Sequence, residues 1–185
     1  MSGTIHRLSR EGTILVVVDF QAKLLPAIHE RERVVRKGGQ LLRGAAALGL
    51  PIVATEQYPQ GLGSTVQEIA EAIPNFKPIA KMSFSSCGAP GFVETIAARG
   101  GKRVLLCGIE SHVCILQSCL DLLDRGVEVF VAEDAVSSRT VFDWRCGVER
   151  MRQAGATIVT VEMALLELLG GADRPEFKQV LGIVK

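Results

Sequence analysis

The chain has few histidines, no cysteine pair at the spacing of a metal ribbon, no excess of either charge and no long apolar run. Three histidines among 185 residues, His6, His29 and His112, give neither HxH nor HxxxH spacing, whereas catalytic zinc usually takes three protein ligands. No metal site is expected. The five cysteines (Cys87, Cys107, Cys114, Cys119, Cys146) form an odd set without CxxC, unlike a secreted disulfide framework. Lys and Arg number 21 against 20 Asp and Glu, for a net charge of +1. No field of one sign is available to attract nucleic acid or an anionic membrane. The opening MSGTIHRLSREG lacks the apolar core of a signal peptide, and no apolar run of about 18 residues exists to cross a bilayer. A cytoplasmic protein with mostly reduced thiols is expected, without nucleic-acid or membrane partners.

What is present is a globular composition, 48% apolar and 22% charged, which suits one domain over residues 1–185. Six short β-branched runs recur: ILVVVD (14–19), PIVATE (51–56), KPIAKM (77–82), RVLLCG (103–108), VEVFVA (127–132) and TIVTVE (157–162). They are nearly continuous apolar stretches, as parallel strands covered on both faces require. Helical patterns fall between and after them, at about 30–48, 64–73, 91–99, 112–125, 140–154 and 163–169. This alternation predicts an α/β fold, a doubly wound, mainly parallel six-stranded sheet flanked by helices, with its crevice outside the carboxyl ends of the strands. The apolar tail 172–185 lies beyond the last predicted element, to dock on the body or on another copy of the chain. That tail, with Phe177, Val180, Leu181, Ile183 and Val184, leads us to expect a homo-oligomer.

Polar residues close three of the apolar strands: Asp19 after ILVVV, Lys81 after PIA, and GIESHVC (108–114) after RVLLC. Taken singly, Asp19 reads as a solvated loop acid and Lys81 as a surface lysine. An acid, a cation and a thiol at one sheet edge together suggest a nucleophilic site. Cys114 opens a predicted helix, where free N–H groups favour an anion and lower a thiol pKa. Cys107, Cys119 and Cys146 fall in a strand or mid-helix, where packing is the simpler account. His112 is two residues from Cys114, about 200° around a helix, and reads as structural or pocket-edge.

These segments resemble the isochorismatase-like cysteine hydrolases, which include nicotinamidases and N-carbamoyl amide hydrolases. VVVDFQ (16–21), KMSF (81–84) and GIESHVCI (108–115) are similar to that family's three motifs, in order and along the whole chain. The stretch TEQYPQGLGST (55–65), with GIESH, is most similar to its isochorismatase domain-containing, or YcaC-like, subgroup. The resemblance implies a triad of Asp19, Lys81 and Cys114, in which Asp19 carries the thiol proton and Lys81 holds the other two in register. It also implies a cis peptide between Ile109 and Glu110 and an oxyanion hole made by the N–H groups of Glu110 and Cys114. Gln21 of the first motif is a candidate binding residue, and Gln57 and Tyr58, just after the second strand, are placed either to line the crevice or to hold the loop. A small-molecule amide or related C–N bond is the expected substrate, with no organic cofactor. Nicotinamidases bind metal through histidines after the second strand, and TEQYPQGLG has none. The alternatives are acid-catalysed vinyl-ether hydrolysis and a non-catalytic scaffold retaining the fold.

Overall fold

A computed structural model of the chain describes residues 6–185. Six strands alternate with helices: β1 (Thr13–Val18), α1 (Arg31–Ala47), β2 (Ile52–Gln57), α2 (Pro59–Leu62), α3 (Gln67–Ala70), β3 (Ile79–Lys81), α4 (Phe92–Ala98), β4 (Arg103–Ile109), α5 (Cys114–Asp124), β5 (Glu128–Ser137), α6 (Val141–Gln153), β6 (Thr157–Val159), α7 (Val161–Leu169) and α8 (Phe177–Val184). The sheet order is β3-β2-β1-β4-β5-β6, and every strand pair is parallel. The chain therefore winds outward on one side from β1 and on the other from β4, and the reversal lies between these two central strands. Ligands bind at such a reversal, at the carboxyl ends of the strands.

Strand periodicity divides the core. In β1, Leu15 and Val17 face α1, α3, α7 and α8, whereas Ile14, Val16 and Val18 face the opposite layer of α4, α5 and α6. In α5, Ile115, Leu116, Cys119 and Leu122 are buried; burial of each large aliphatic side chain is worth about 2 kcal/mol. These contacts fix the helix that starts at Cys114. At the central seam Val18 pairs with Gly108. A Cβ on Gly108, whose φ is 125°, would lie 2.0 Å from the Val18 carbonyl oxygen. Only glycine lets β4 run this close to β1.

Several boundaries differ from the sequence reading. The helix expected at 64–73 is a single turn, Gln67–Ala70, and residues from Val161 in the run 157–162 belong to α7, capped by Thr160. β5 continues to Ser137 instead of ending near 132. Its pairing with β4 steps from Leu106↔Val131 to Gly108↔Val136, so five residues of β5 advance against two of β4. The polar residues of this bulge hide the strand in the sequence. The apolar tail forms α8, which packs on the α1 and α7 side of the body, with Gln40 Nε2 donating to the Ile183 carbonyl at 2.8 Å. The tail thus no longer argues for an oligomer.

Candidate active site

Asp19 follows β1 and is fully buried, with φ of 55°. A buried carboxylate needs compensating partners. Its Oδ1 accepts from Thr55 Oγ1 at 2.8 Å, and its Oδ2 accepts from Lys81 Nζ at 2.7 Å. The Lys81 side chain is also wholly buried. Besides Asp19, its ammonium donates to Gln57 Oε1 at 2.8 Å and to the carbonyls of Phe84 at 3.0 Å and Ser83 at 3.3 Å. The surface-lysine reading is thereby excluded.

Gln57 and Gln21 form the frame of this pair. The Gln21 Oε1 accepts from the Gln57 N–H at 2.8 Å, and its Nε2 donates to the Gln57 and Gly63 carbonyls at 2.9 and 2.6 Å. The Gln57 amide runs from Lys81 to the Met82 carbonyl, 2.9 Å away. Both glutamines reach the site, with their amides engaged in holding loops and Lys81. Thr55, absent from the sequence reading, could have been found by strand alternation, since it lies two positions before Gln57.

Cys114 is the first residue of α5, and its thiol lies close enough to the Asp19–Lys81 pair to feel both charges. Cys114 is 6% exposed. Burial first and the Asp19 carboxylate second, with Lys81 opposing, push its thiol pKa up from an ordinary 9.0 to about 12. This reverses the lowered thiol pKa expected from the helix terminus, which is outweighed by loss of water and a nearby carboxylate. The thiol is protonated at rest.

The peptide between Ile109 and Glu110 is cis. Among the described residues, the N–H groups of Glu110 and Cys114 donate to no other group. α6 and α7 are capped by the hydroxyls of Thr140 and Thr160, but Val113 places no such side chain before α5. The Cys114 N–H is therefore left open, while that of Ile115 donates to the Glu110 carbonyl at 3.1 Å. The far side of the elbow is tied down by Ser118, whose hydroxyl donates to the Cys114 carbonyl at 2.6 Å and accepts from the Ser86 N–H at 2.8 Å.

Tyr58, Met82 and Phe84 are exposed, the last two by 71% and 55%, although their neighbours in sequence hold the buried lysine; Val141 and Phe142 are exposed after β5. His112 contacts Ser138 and Arg139 rather than the pair; it lies before α5, so its direction is set by these contacts and not by a helical angle. Cys146 is exposed on α6, not packed as expected, and Cys87 is half-buried. Among the described residues, no group of three His, Cys, Asp or Glu could hold a metal ion, and no helix is long and apolar enough to cross a membrane.

The isochorismatase domain family matches residues 13–163. Isochorismatase domain-containing protein 2A of Mus musculus is 39% identical over 183 residues, covering 98% of this chain and 87% of that protein. The secreted isochorismatase effector Isc1 of Phytophthora sojae is 40% identical over 186 residues, with 98% and 88% covered. Among solved structures, the MAR1 ribonuclease of Caenorhabditis elegans superposes with a TM-score of 0.91 at 39% identity, covering 97% of this chain and 92% of that one. YcaC from Pseudomonas aeruginosa, solved with hexane-2,5-diol and covalent acrylamide, gives 0.92 at 26% identity, with 98% and 93% covered. The Escherichia coli YcaC gene product, described as an octameric hydrolase of unknown specificity, gives 0.89 at 24% identity with 99% and 89% covered, and shares the fold.

Proposed function

The chain belongs to the isochorismatase family of hydrolases, and from that premise we propose that it cleaves a small-molecule amide or related C–N bond, with Cys114 as nucleophile. The observation that carries this reading is the thiol at an uncapped helix start against a wholly buried Asp–Lys pair. The thiol proton passes to Asp19 as sulfur attacks the carbonyl carbon, so ionisation accompanies attack and does not precede it. The carbonyl electrons move to oxygen, which the N–H groups of Glu110 and Cys114 stabilise. As the C–O double bond re-forms, the C–N bond breaks and Asp19 returns the proton to the departing amine. Water then attacks the thioester, losing its proton to Asp19, and the thiol is restored. Lys81, bonded to Asp19 Oδ2 at 2.7 Å, holds the carboxyl group in place throughout.

Covalent acrylamide in the Pseudomonas aeruginosa relative supports small amides as first probes. The description of the Caenorhabditis elegans relative makes RNA the second substrate to test, although a net charge of +1 offers no electrostatic reason for affinity. The decisive experiment incubates the protein with a panel of amides, quenches it, and maps adducts by mass. An acyl group on Cys114 supports the reading and identifies half of the substrate. Turnover of any substrate by Cys114→Ala at the wild-type rate would refute it.

We also propose a cytoplasmic homo-oligomer. Five free thiols suit a reducing compartment, and the exposed Tyr58, Met82, Phe84, Val141 and Phe142 suit burial against another copy. Light scattering giving 19.9 kDa at micromolar concentration would remove the oligomer.

A further inference from the structure

The elbow from Glu110 to Cys114 is held by a short segment that the chemistry above does not use. Ser137, Ser138 and Arg139 emerge from the β5 bulge and contact three successive elbow residues. The Ser111 N–H donates to the Ser137 carbonyl at 2.8 Å, and the hydroxyls of Ser111 and Ser138 lie 2.6 Å apart, both side chains buried. The His112 N–H donates to Ser138 Oγ at 3.3 Å, and His112 Nδ1 lies 2.9 Å from the same oxygen. Arg139 Nε is 2.8 Å from Glu110 Oε1, and one of its terminal nitrogens is 3.4 Å from His112 Nε2.

This network assigns its own protons. A guanidinium has only donors, so His112 Nε2 accepts from Arg139 and the ring proton sits on Nδ1, donating to Ser138. The Ser138 hydroxyl then donates to Ser111. Arg139 is bonded at once to the first and third residues of the elbow, although its side chain is 59% exposed. The segment is anchored from behind, where the His29 N–H donates to the Ser138 carbonyl at 2.8 Å and the Ser137 hydroxyl donates to the His29 carbonyl at 2.7 Å. α6 closes the remaining side: a Cβ on Gly147 would lie 2.7 Å from the Ser111 carbonyl oxygen.

We propose that Ser138 and Arg139, acting through Glu110 and the His112 ring, are positioning residues that aim the Glu110 and Cys114 N–H groups at the oxyanion. The proposal rests on Cys114 being the nucleophile. An oxyanion donor works only when held about 2.7–3.1 Å from the oxygen that acquires charge. Backbone donors cannot be re-aimed by a side-chain rotamer. They must be held through their neighbours, and here Ser111 and His112, which follow Glu110 and lead to Cys114, are both tied by one loop.

Two reactions of the same sulfur separate this role from a general structural one. With p-nitrophenyl acetate the sulfur–carbon bond forms through a tetrahedral oxyanion, Asp19 takes the thiol proton, and nitrophenolate leaves. With iodoacetamide the sulfur displaces iodide and no oxyanion arises. Cys114 acetylation and alkylation are followed by peptide mass in the full chain. In Arg139→Gln and Ser138→Ala, acetylation should slow about ten- to hundredfold, while alkylation stays within about twofold. Arg139→Lys, which can reach Glu110 or His112 but not both, should recover part of the loss. If Ser138→Ala fails to fold, as circular dichroism would show, the exposed Arg139→Gln carries the test alone. Equal slowing of both reactions, or of neither, overturns the positioning role while leaving the nucleophile in place. Wild-type protein acetylated only at other thiols overturns the nucleophile and this role together.

Discussion

The two halves of the candidate site are built from different chemistry. On the β1, β2 and β3 side, Asp19, Lys81, Thr55 and Gln57 form a closed set around one buried ion pair. On the β4 and β5 side, the elbow is tied by hydroxyls, an imidazole and backbone groups, and its one ion pair, Glu110–Arg139, reaches solvent. The first half fixes where charge resides; the second fixes where donors point. Losing a member of the first should therefore damage folding and activity together, whereas losing a member of the second should damage activity first.

The sharpest contrast comes from Cys114→Ala on the elbow side. Turnover should fall by about 10⁴-fold or more, the scale of removing a covalent nucleophile, with urea denaturation midpoints little changed. A large loss of stability here would erase the distinction between the halves.

On the charged side, Lys81→Met leaves a buried carboxylate without its cation and should lower unfolding free energy by about 3–5 kcal/mol. Combining it with Asp19→Asn removes both charges and should restore most of that loss in urea titrations, while activity stays absent. A double variant no more stable than Lys81→Met would mean that the pair is not what the surrounding structure is built to hold.

A further contrast, confined to alkaline pH, is a stability loss carried mainly by α5. Burial pushes the thiols of Cys107, Cys114 and Cys119 from 9.0 to about 12, and two of these lie on α5. Below pH 9 both folded and unfolded thiols keep their protons and contribute no difference. Above it the unfolded chain ionises first, so stability falls as pH rises from 9 toward 12, by at most about 1.4 kcal/mol per thiol and pH unit. Cys114→Ala with Cys119→Ala should flatten this slope, measured as melting temperature against pH. An unchanged slope would assign it to other groups.

The smallest expected effect is none at all. The place where a cation serves the carboxylate is taken by Lys81 Nζ, and no three metal-type ligands converge among the described residues. Dialysis against chelator should leave turnover unchanged; loss restored by added metal would overturn the metal-free mechanism.

These contrasts follow what the sequence could disclose. Asp19, Lys81 and Cys114 were legible because each breaks an apolar strand or opens a helix at the edge where parallel strands end. Strand order sets Asp19 and Cys114 on either side of the reversal, and Lys81 reaches Asp19 from edge strand β3 through its long side chain. The state of Cys114 was not legible, because its proton depends on how deeply the sulfur is buried, a property of packing. Ser137, Ser138 and Arg139 resemble an ordinary loop in sequence, and only the five-against-two bulge brings them to the elbow. Cys146 shows the same limit: a mid-helix position does not say which face of α6 meets solvent. α8 was missed because its apolar residues were assigned to an appendage when they form an amphipathic face completing one layer.

The saturation of Lys81 has a practical use. Its ammonium is enclosed by four acceptors, with no side-chain surface open to solvent. Amine-reactive reagents should therefore modify surface lysines such as Lys23 while passing over Lys81 for as long as the sheet edge stays closed. A single tryptic peptide then becomes an internal reporter of nativeness, readable in crude extracts where neither a substrate nor a spectroscopic signal is at hand.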